Sequence, residues 1–211
     1  MKRLLFLKAT DDYSPDVVAH MKMICELLEV EFVEYRFTSL EDFETFGHSE
    51  ASFDFLYLGA HGSHECFGEK SPPYTRWADF GLKICETQIL NPQSVVLLGC
   101  CKGGLKRIAI ILFSICPQIR SVCGPRWSIN QYHSALGLHV FLHNHIIEKE
   151  EPERSAKRTE VATGKSFPHY SRYDHEAELV LITGYVPDDY KTTAEIEDVY
   201  VHNEDSEPQE T

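Results

Sequence analysis

The sequence predicts one α/β domain: a mostly parallel sheet with helices on both faces. Three observations predict it. Short apolar runs recur along the chain, and stretches of helical period separate them. Parallel strands need crossover connections, and helices supply them. The chain has 211 residues, enough to bury one core without a disulfide or metal staple. No internal repeat and no second domain is visible.

The elements follow in order. Residues 4–8 read as a first strand. Ser14-Pro15-Asp16 starts a helix, with an oxygen cap, a proline in the first turn and an acid near the positive end. Val17, Val18, Met21, Ile24, Cys25 and Leu28 continue it at helical spacing. Residues 31–37 read as a strand, and Ser39-Leu40-Glu41-Asp42 opens a short helix in the manner of a capping box. Residues 53–58 form a buried strand ending in Gly59-Ala60-His61-Gly62. Residues 63–81, rich in glycine, proline and polar groups, read as a surface loop at the substrate entrance. Residues 95–98 form a buried strand ending in Gly99-Cys100-Cys101-Lys102-Gly103-Gly104, with a helix over 105–113. A strand over 120–123 precedes Gly124-Pro125. Asn130 caps a helix reaching about 148. Residues 149–176 show no period and read as a polar loop, and 179–184 as a last strand. The domain is expected to span 1–186, with an acidic tail over 187–211 that is partly disordered.

Charge narrows the function. The net charge is −13, and the tail holds most of it, with nine acidic side chains against Lys191. No basic field would steer nucleic acid, so none is expected as a partner. No apolar run reaches the length of a membrane span, and the apolar start is too short for a signal peptide. The seven cysteines then read as reduced thiols in the cytoplasm.

In open α/β sheets, functional groups collect at the carboxyl ends of strands. Two strand ends carry chemistry here. His61 closes one and Cys101 another. Neighbouring strands lie about 4.8 Å apart, close enough for an imidazole and a sulfur to meet. A cysteine nucleophile needs a base, oxyanion donors and a setting that favours thiolate. Gly62 frees a backbone N–H to approach an oxyanion. Gly103-Gly104 is read as opening a helix whose positive end favours thiolate on Cys101, and Lys102 adds charge.

The runs Tyr57-Leu58-Gly59-Ala60-His61-Gly62 and Val95-Val96-Leu97-Leu98-Gly99-Cys100-Cys101-Lys102-Gly103-Gly104 resemble those of caspase-like cysteine peptidases. The resemblance is to their CHAT-domain group, related to separase and to bacterial caspase homologues. A later Val122-Cys123-Gly124-Pro125-Arg126-Trp127 and the run Ala177-Glu178-Leu179-Val180-Leu181-Ile182-Thr183-Gly184 also fit, the latter as a closing strand. The resemblance covers roughly residues 50–185. It implies a caspase-like fold and a cytoplasmic cysteine endopeptidase. Cys101 would be the nucleophile, His61 the base, and the N–H groups of Gly62 and Cys101 the oxyanion hole. Arg126, Trp127 and Asn130 would line the substrate pocket. It implies a protein or peptide substrate, an activating partner, and a place in prokaryotic defence or regulated proteolysis. No cofactor and no metal are expected. The local signature differs from that of animal caspases: Gly99-Cys100 precedes the nucleophile, which stands 40 residues after the base. Gly99 and Asn130 stand where some relatives carry acids, so the pattern carries no preference for basic residues.

Other readings remain open. The same fold could serve as a catalytically inactive interaction module. A nucleotide- or NAD-processing domain would need a carboxylate in a cleft, with Glu65 and Glu69 as the candidates. His61, His64 and Cys66, or His139, His143 and His145, could hold a metal, but no second pair at zinc spacing accompanies them. Cys100 competes with Cys101. Adjacent strand residues face opposite sides, so one of the two packs inside.

Overall fold

The computed structural model describes residues 1–49 and 52–183. The acidic tail lies outside the described residues. Strand β1 (Lys2–Lys8) leads to helix α1 (Pro15–Leu27), β2 (Val30–Arg36), α2 (Leu40–Ser49) and β3 (Phe53–Gly59). Then come three short strands, β4 (His61–Gly62), β5 (Cys66–Gly68) and β6 (Tyr74–Arg76), and helix α3 (Trp77–Thr87). The chain continues through β7 (Leu90–Leu98), α4 (Lys106–Ile115), β8 (Ile119–Cys123) and α5 (Gln131–Leu142), which runs on as a π-helical turn, His143–Ile147. Helix α6 (Pro152–Thr163), strand β9 (His169–Ser171) and helix α7 (Arg172–Thr183) complete it.

The main sheet has six strands in the order β2-β1-β3-β7-β8-β9. Its first five strands are parallel, and β9 runs antiparallel to β8. Alternate residues face opposite layers, as strand geometry requires. Leu5, Leu7, Leu56, Leu58, Val96 and Leu98 meet Phe43 of α2, Trp77 and Phe80 of α3, and Ile108 and Leu112 of α4. Leu4, Phe6, Phe55, Tyr57, Val95 and Leu97 meet Met21 of α1, Leu138 and Phe141 of α5, and Ala156 of α6. Both faces are therefore covered, as the sequence predicts. This is an α/β architecture consistent with a caspase-like domain. Among the described residues, no helix is long and apolar enough to cross a membrane.

Three expectations need correction. Residues 63–81 are not a simple surface loop. Strands β4, β5 and β6 form a small antiparallel sheet, and Trp77, Phe80 and Ile84 of α3 are buried with Phe67 in the core. The Trp77 indole N–H donates to Ser63 O at 3.1 Å, which ties the segment down.

Residues 149–176 are also ordered. Pro152 opens α6 and Gly164, at φ +63°, closes it in the left-handed conformation. Its buried face is Ser155, Ala156, Thr159 and Thr163. Small side chains let α6 lie close to α5, where Thr159 packs near Gly137. The predicted strand over 179–184 is instead the end of α7, as far as Thr183. The edge of the sheet is filled by β9. Ser171 then caps α7, its Oγ accepting from Asp174 N at 3.0 Å. The Arg172 guanidinium donates to the carbonyls of Phe113, Cys116 and Ile119 at 2.6–2.8 Å, locking the helix start against the end of α4. The match to a closing strand over 177–184 therefore fails.

Candidate active site

Strands β3 and β7 are hydrogen-bonded neighbours, with Leu58 opposite Leu98. Gly99 N donates to Leu58 O at 2.7 Å. His61 and Cys101 thus leave the sheet side by side, each three residues beyond that pair. Their backbones touch at Gly62. A Cβ on Gly62 would lie 2.5 Å from Cys101 O and 3.0 Å from Cys100 Sγ. Only glycine permits so close an approach.

The two cysteines differ sharply. Cys100 is fully buried, and burial, with Cys101 next to it, pushes its thiol far above the usual range. Cys101 is half-buried. Its Sγ accepts from Ile129 N at 3.5 Å and donates to Ile129 O at 3.7 Å. The segment after β8 therefore wraps the sulfur. Lys102 N donates to Trp127 O at 3.3 Å and Gly104 N to Pro125 O at 2.8 Å, closing the same wrap. Lys102 itself takes φ +61°.

The helix that follows begins at Lys106, with Leu105 at its cap. Gly103-Gly104 do not open it. They form the turn before it, and Gly104 packs against the Gly124 backbone. The expectation that Gly103-Gly104 open the helix is therefore corrected: its first residue, Lys106, lies beyond both glycines.

His61 meets a carboxylate. Its Nε2 is shielded from solvent and lies 3.0 Å from Asp12 Oδ2. The approach is off the hydrogen-bond axis, so the contact is an ion-pair distance rather than a formed hydrogen bond. Lys70 Nζ reaches Asp12 Oδ1 at 3.1 Å and Oδ2 at 3.0 Å. The hydrogen bond from Lys70, opposed by burial and aided by the charges of Lys70 and His61, holds the Asp12 carboxyl below its ordinary value. Sequence reasoning missed Asp12 and Lys70. Asp12 lies on the β1–α1 connection, and only the pairing of β1 with β3 brings it to His61.

The neighbouring carboxylate is Glu69. It accepts from Thr10 Oγ1 at 3.0 Å and Asp11 N at 2.8 Å, and Arg36 lies 3.6 Å away. Burial alone would raise its pKa, but hydrogen bonds from Asp11, Lys70 and Thr10 and the charge of Arg36 bring it to about 2. The sign follows. The folded value lies below the ordinary 4.5, so this stabilisation is complete above that pH and disappears as pH falls towards about 2. Glu69→Gln should flatten the acid limb of the thermal-midpoint profile in that window, and an unchanged limb would show that Glu69 contributes nothing. So engaged, Glu69 is a fastener between the β1–α1 connection and the β5–β6 connection. Glu65, the other rival carboxylate, is exposed, 3.4 Å from His64 Nε2. It lines an open cleft of about 580 Å³ with Tyr74, Arg76, Trp77 and Arg107.

The proposed pocket residues lie on the segment that wraps Cys101. Trp127 is 38% exposed, with the Arg126 guanidinium 5.6 Å over its ring. Asn130 is committed to capping α5, its Oδ1 accepting from His133 N at 3.0 Å. No family model matches the chain, and no curated protein matches it. Beneath the site, the Tyr13 hydroxyl meets Ser134 Oγ at 2.7 Å and donates to Gly99 O at 3.0 Å. Tyr57 also bonds to Ser134. Burial pushes Tyr13 up to about 12. This network pins α1 and α5 to the strand end that carries Cys100-Cys101.

The histidines weighed as metal ligands have other neighbours. His139 faces the His20 ring, with centroids 6.1 Å apart, and His145 Nδ1 lies 2.8 Å from Glu150 O. Among the described residues, no three His, Cys, Asp or Glu side chains converge as a metal site would need.

Proposed function

We propose that the chain is a cysteine endopeptidase that works through His61 and Cys101. The observation that carries this reading is the contact of the two strand ends: His61-Gly62 against Cys100-Cys101, with the accessible thiol on Cys101. His61 takes the Cys101 thiol proton. The thiolate attacks the scissile carbonyl, and the oxyanion is met by the N–H groups of Gly62 and Cys101. His61 returns the proton to the leaving amine, and water then hydrolyses the thioester. Trp127 and Arg126 offer an apolar and a basic surface on the segment whose Ile129 holds the sulfur. The resting contacts of the sulfur favour an enzyme switched on by a partner, because the Ile129 backbone engages it on both sides, N–H and carbonyl. A role in prokaryotic defence or regulated proteolysis rests on the sequence resemblance alone.

The same resting contacts favour a second reading, an inactive interaction module. A peptide carrying an electrophilic carbon separates the two. With the peptidase, the probe attaches to Cys101 near neutral pH, peptide mapping finds Cys66 and Cys85 largely unlabelled, and His61→Ala suppresses the label. Labelling spread evenly over exposed thiols, or indifferent to His61, would favour the module.

A further inference from the structure

An imidazole that serves as a base must present one nitrogen to the thiol, and something must hold the other. The Nε2 edge of His61 is turned from solvent onto the carboxylate of Asp12, at 3.0 Å. We propose that Asp12 is a positioning residue for the dyad: its carboxylate holds Nε2–H of His61 and leaves Nδ1 as the nitrogen that accepts the Cys101 proton. The proposal rests on the peptidase reading above and adds a third member to its site.

Three features support it. The first is placement. Strands β1 and β3 are parallel neighbours, with Lys8 opposite Gly59. The chain just beyond each strand end therefore comes to the same edge of the sheet, Asp12 from one and His61 from the other.

The second is anchoring. A positioning group must itself be fixed. Asp12 N donates to Thr10 Oγ1 at 3.2 Å, and Thr10 Oγ1 donates to Glu69 at 3.0 Å. Asp11 N donates to the same carboxylate, and Arg36 pairs with Asp11 at 3.0 Å. The turn that carries Asp12 is thus tied to β2 through Arg36 and to the β5–β6 connection through Glu69.

The third is charge. Asp12 is held ionised by Lys70, so it accepts and does not donate. An accepting carboxylate fixes the proton of a neutral imidazole on Nε2. The charged groups around His61 are Asp12 from the β1–α1 connection and Lys70 from the β5–β6 connection, with Glu69, Asp11 and Arg36 behind them. Lys70 shares Oδ2 with His61. Uptake of a proton by His61 during the reaction would strengthen its pairing with the carboxylate.

The test uses the full chain and needs no known substrate. Iodoacetamide is the probe, and its rate of attachment at Cys101 is read by peptide mapping at neutral pH. The tautomer of His61 is read from its imidazole nitrogen resonances. Asp12→Ala should slow attachment at Cys101 by about tenfold, a typical scale for losing part of a general-base effect, and should abolish the uniform Nε2–H signature. Asp12→Glu should recover most of both. The double variant Asp12→Ala/His61→Ala should be no slower than His61→Ala, because a group that acts through another adds nothing once the other is gone. If Asp12→Ala does not fold, Asp12→Asn keeps the size of the side chain. Its amide donates to Nε2 and should move the proton to Nδ1, slowing attachment. An Asp12 variant that reacts at the parental rate with an unchanged tautomer, while His61→Ala is slow, would overturn the proposal and leave the dyad standing. A His61→Ala protein that reacts at the parental rate would overturn the peptidase reading itself.

Discussion

Cys101→Ala should abolish peptide turnover and leave the fold intact, whereas Cys100→Ala should keep turnover and lose stability. The environments of the two sulfurs dictate this contrast. Cys101 is half-buried, and its sulfur makes two long contacts to the Ile129 backbone. Removing it deletes the nucleophile but little packing. Cys100 is fully buried with Leu98 and Ile108 in the core. Its sulfur lies within about 3 Å of where Cβ atoms on Gly62 and Gly103 would sit. Truncation there leaves a small cavity and should cost about 1–2 kcal/mol, near the centre of the usual range for point substitutions. Turnover of a confirmed peptide substrate and denaturant unfolding, measured on both variants, check it. Retained turnover in Cys101→Ala would end the dyad reading, and turnover lost only in Cys100→Ala would place the nucleophile one residue earlier.

The strands that build the site were legible because each is a short apolar run between turn residues. β3 and β7 end where Gly59 and Gly99 end the apolar pattern. Helix α1 was legible from Ser14 and Pro15, and the cap is real: Ser14 Oγ accepts from Val17 N at 3.4 Å. Helix α6 carried equally good signals, Pro152 at its start and Gly164 at its end. Its inward face, however, is Ser, Ala and Thr, which leaves no apolar period to count. Helix α3 did have the period, in Trp77, Phe80, Gly81, Ile84 and Thr87. The prolines and glycines just before it masked its start. In α7 the run Leu179-Val180-Leu181-Ile182 has the composition of a strand. Arg172 and Ser171, upstream, decide for helix by fixing the first turn.

The site divides in the same way. His61, Gly62 and Cys101 were legible because they sit at strand ends, and strand ends are visible as the close of an apolar run. Asp12, Lys70 and Ile129 were not. Each reaches the site through tertiary pairing: Asp12 through β1 against β3, Lys70 through the small antiparallel sheet, and Ile129 through the wrap after β8. Their neighbours in sequence carry no trace of that meeting.

Gly62→Ala should cost both stability and turnover. An added methyl would lie 2.5 Å from the Cys101 carbonyl oxygen, a backbone atom that cannot rotate away, and 3.0 Å from Cys100 Sγ. Either β4 or the turn carrying Cys101 must move. Overpacking of this kind costs about 1–3 kcal/mol. The displacement also separates the two N–H groups assigned to the oxyanion, and loss of one such donor lowers turnover by about 10²–10³. Gly164→Ala is the control. It has open space around it but sits at φ +63°, so alanine there should cost about 1–2 kcal/mol through backbone strain alone. It closes α6 and an added methyl there meets nothing within 4 Å, so turnover should hold. Comparable stability losses in the two variants, with turnover lost only in Gly62→Ala, would tie the effect to the contact between the strand ends. Equal turnover in both would mean that the approach of Gly62 to Cys101 serves packing and not the reaction.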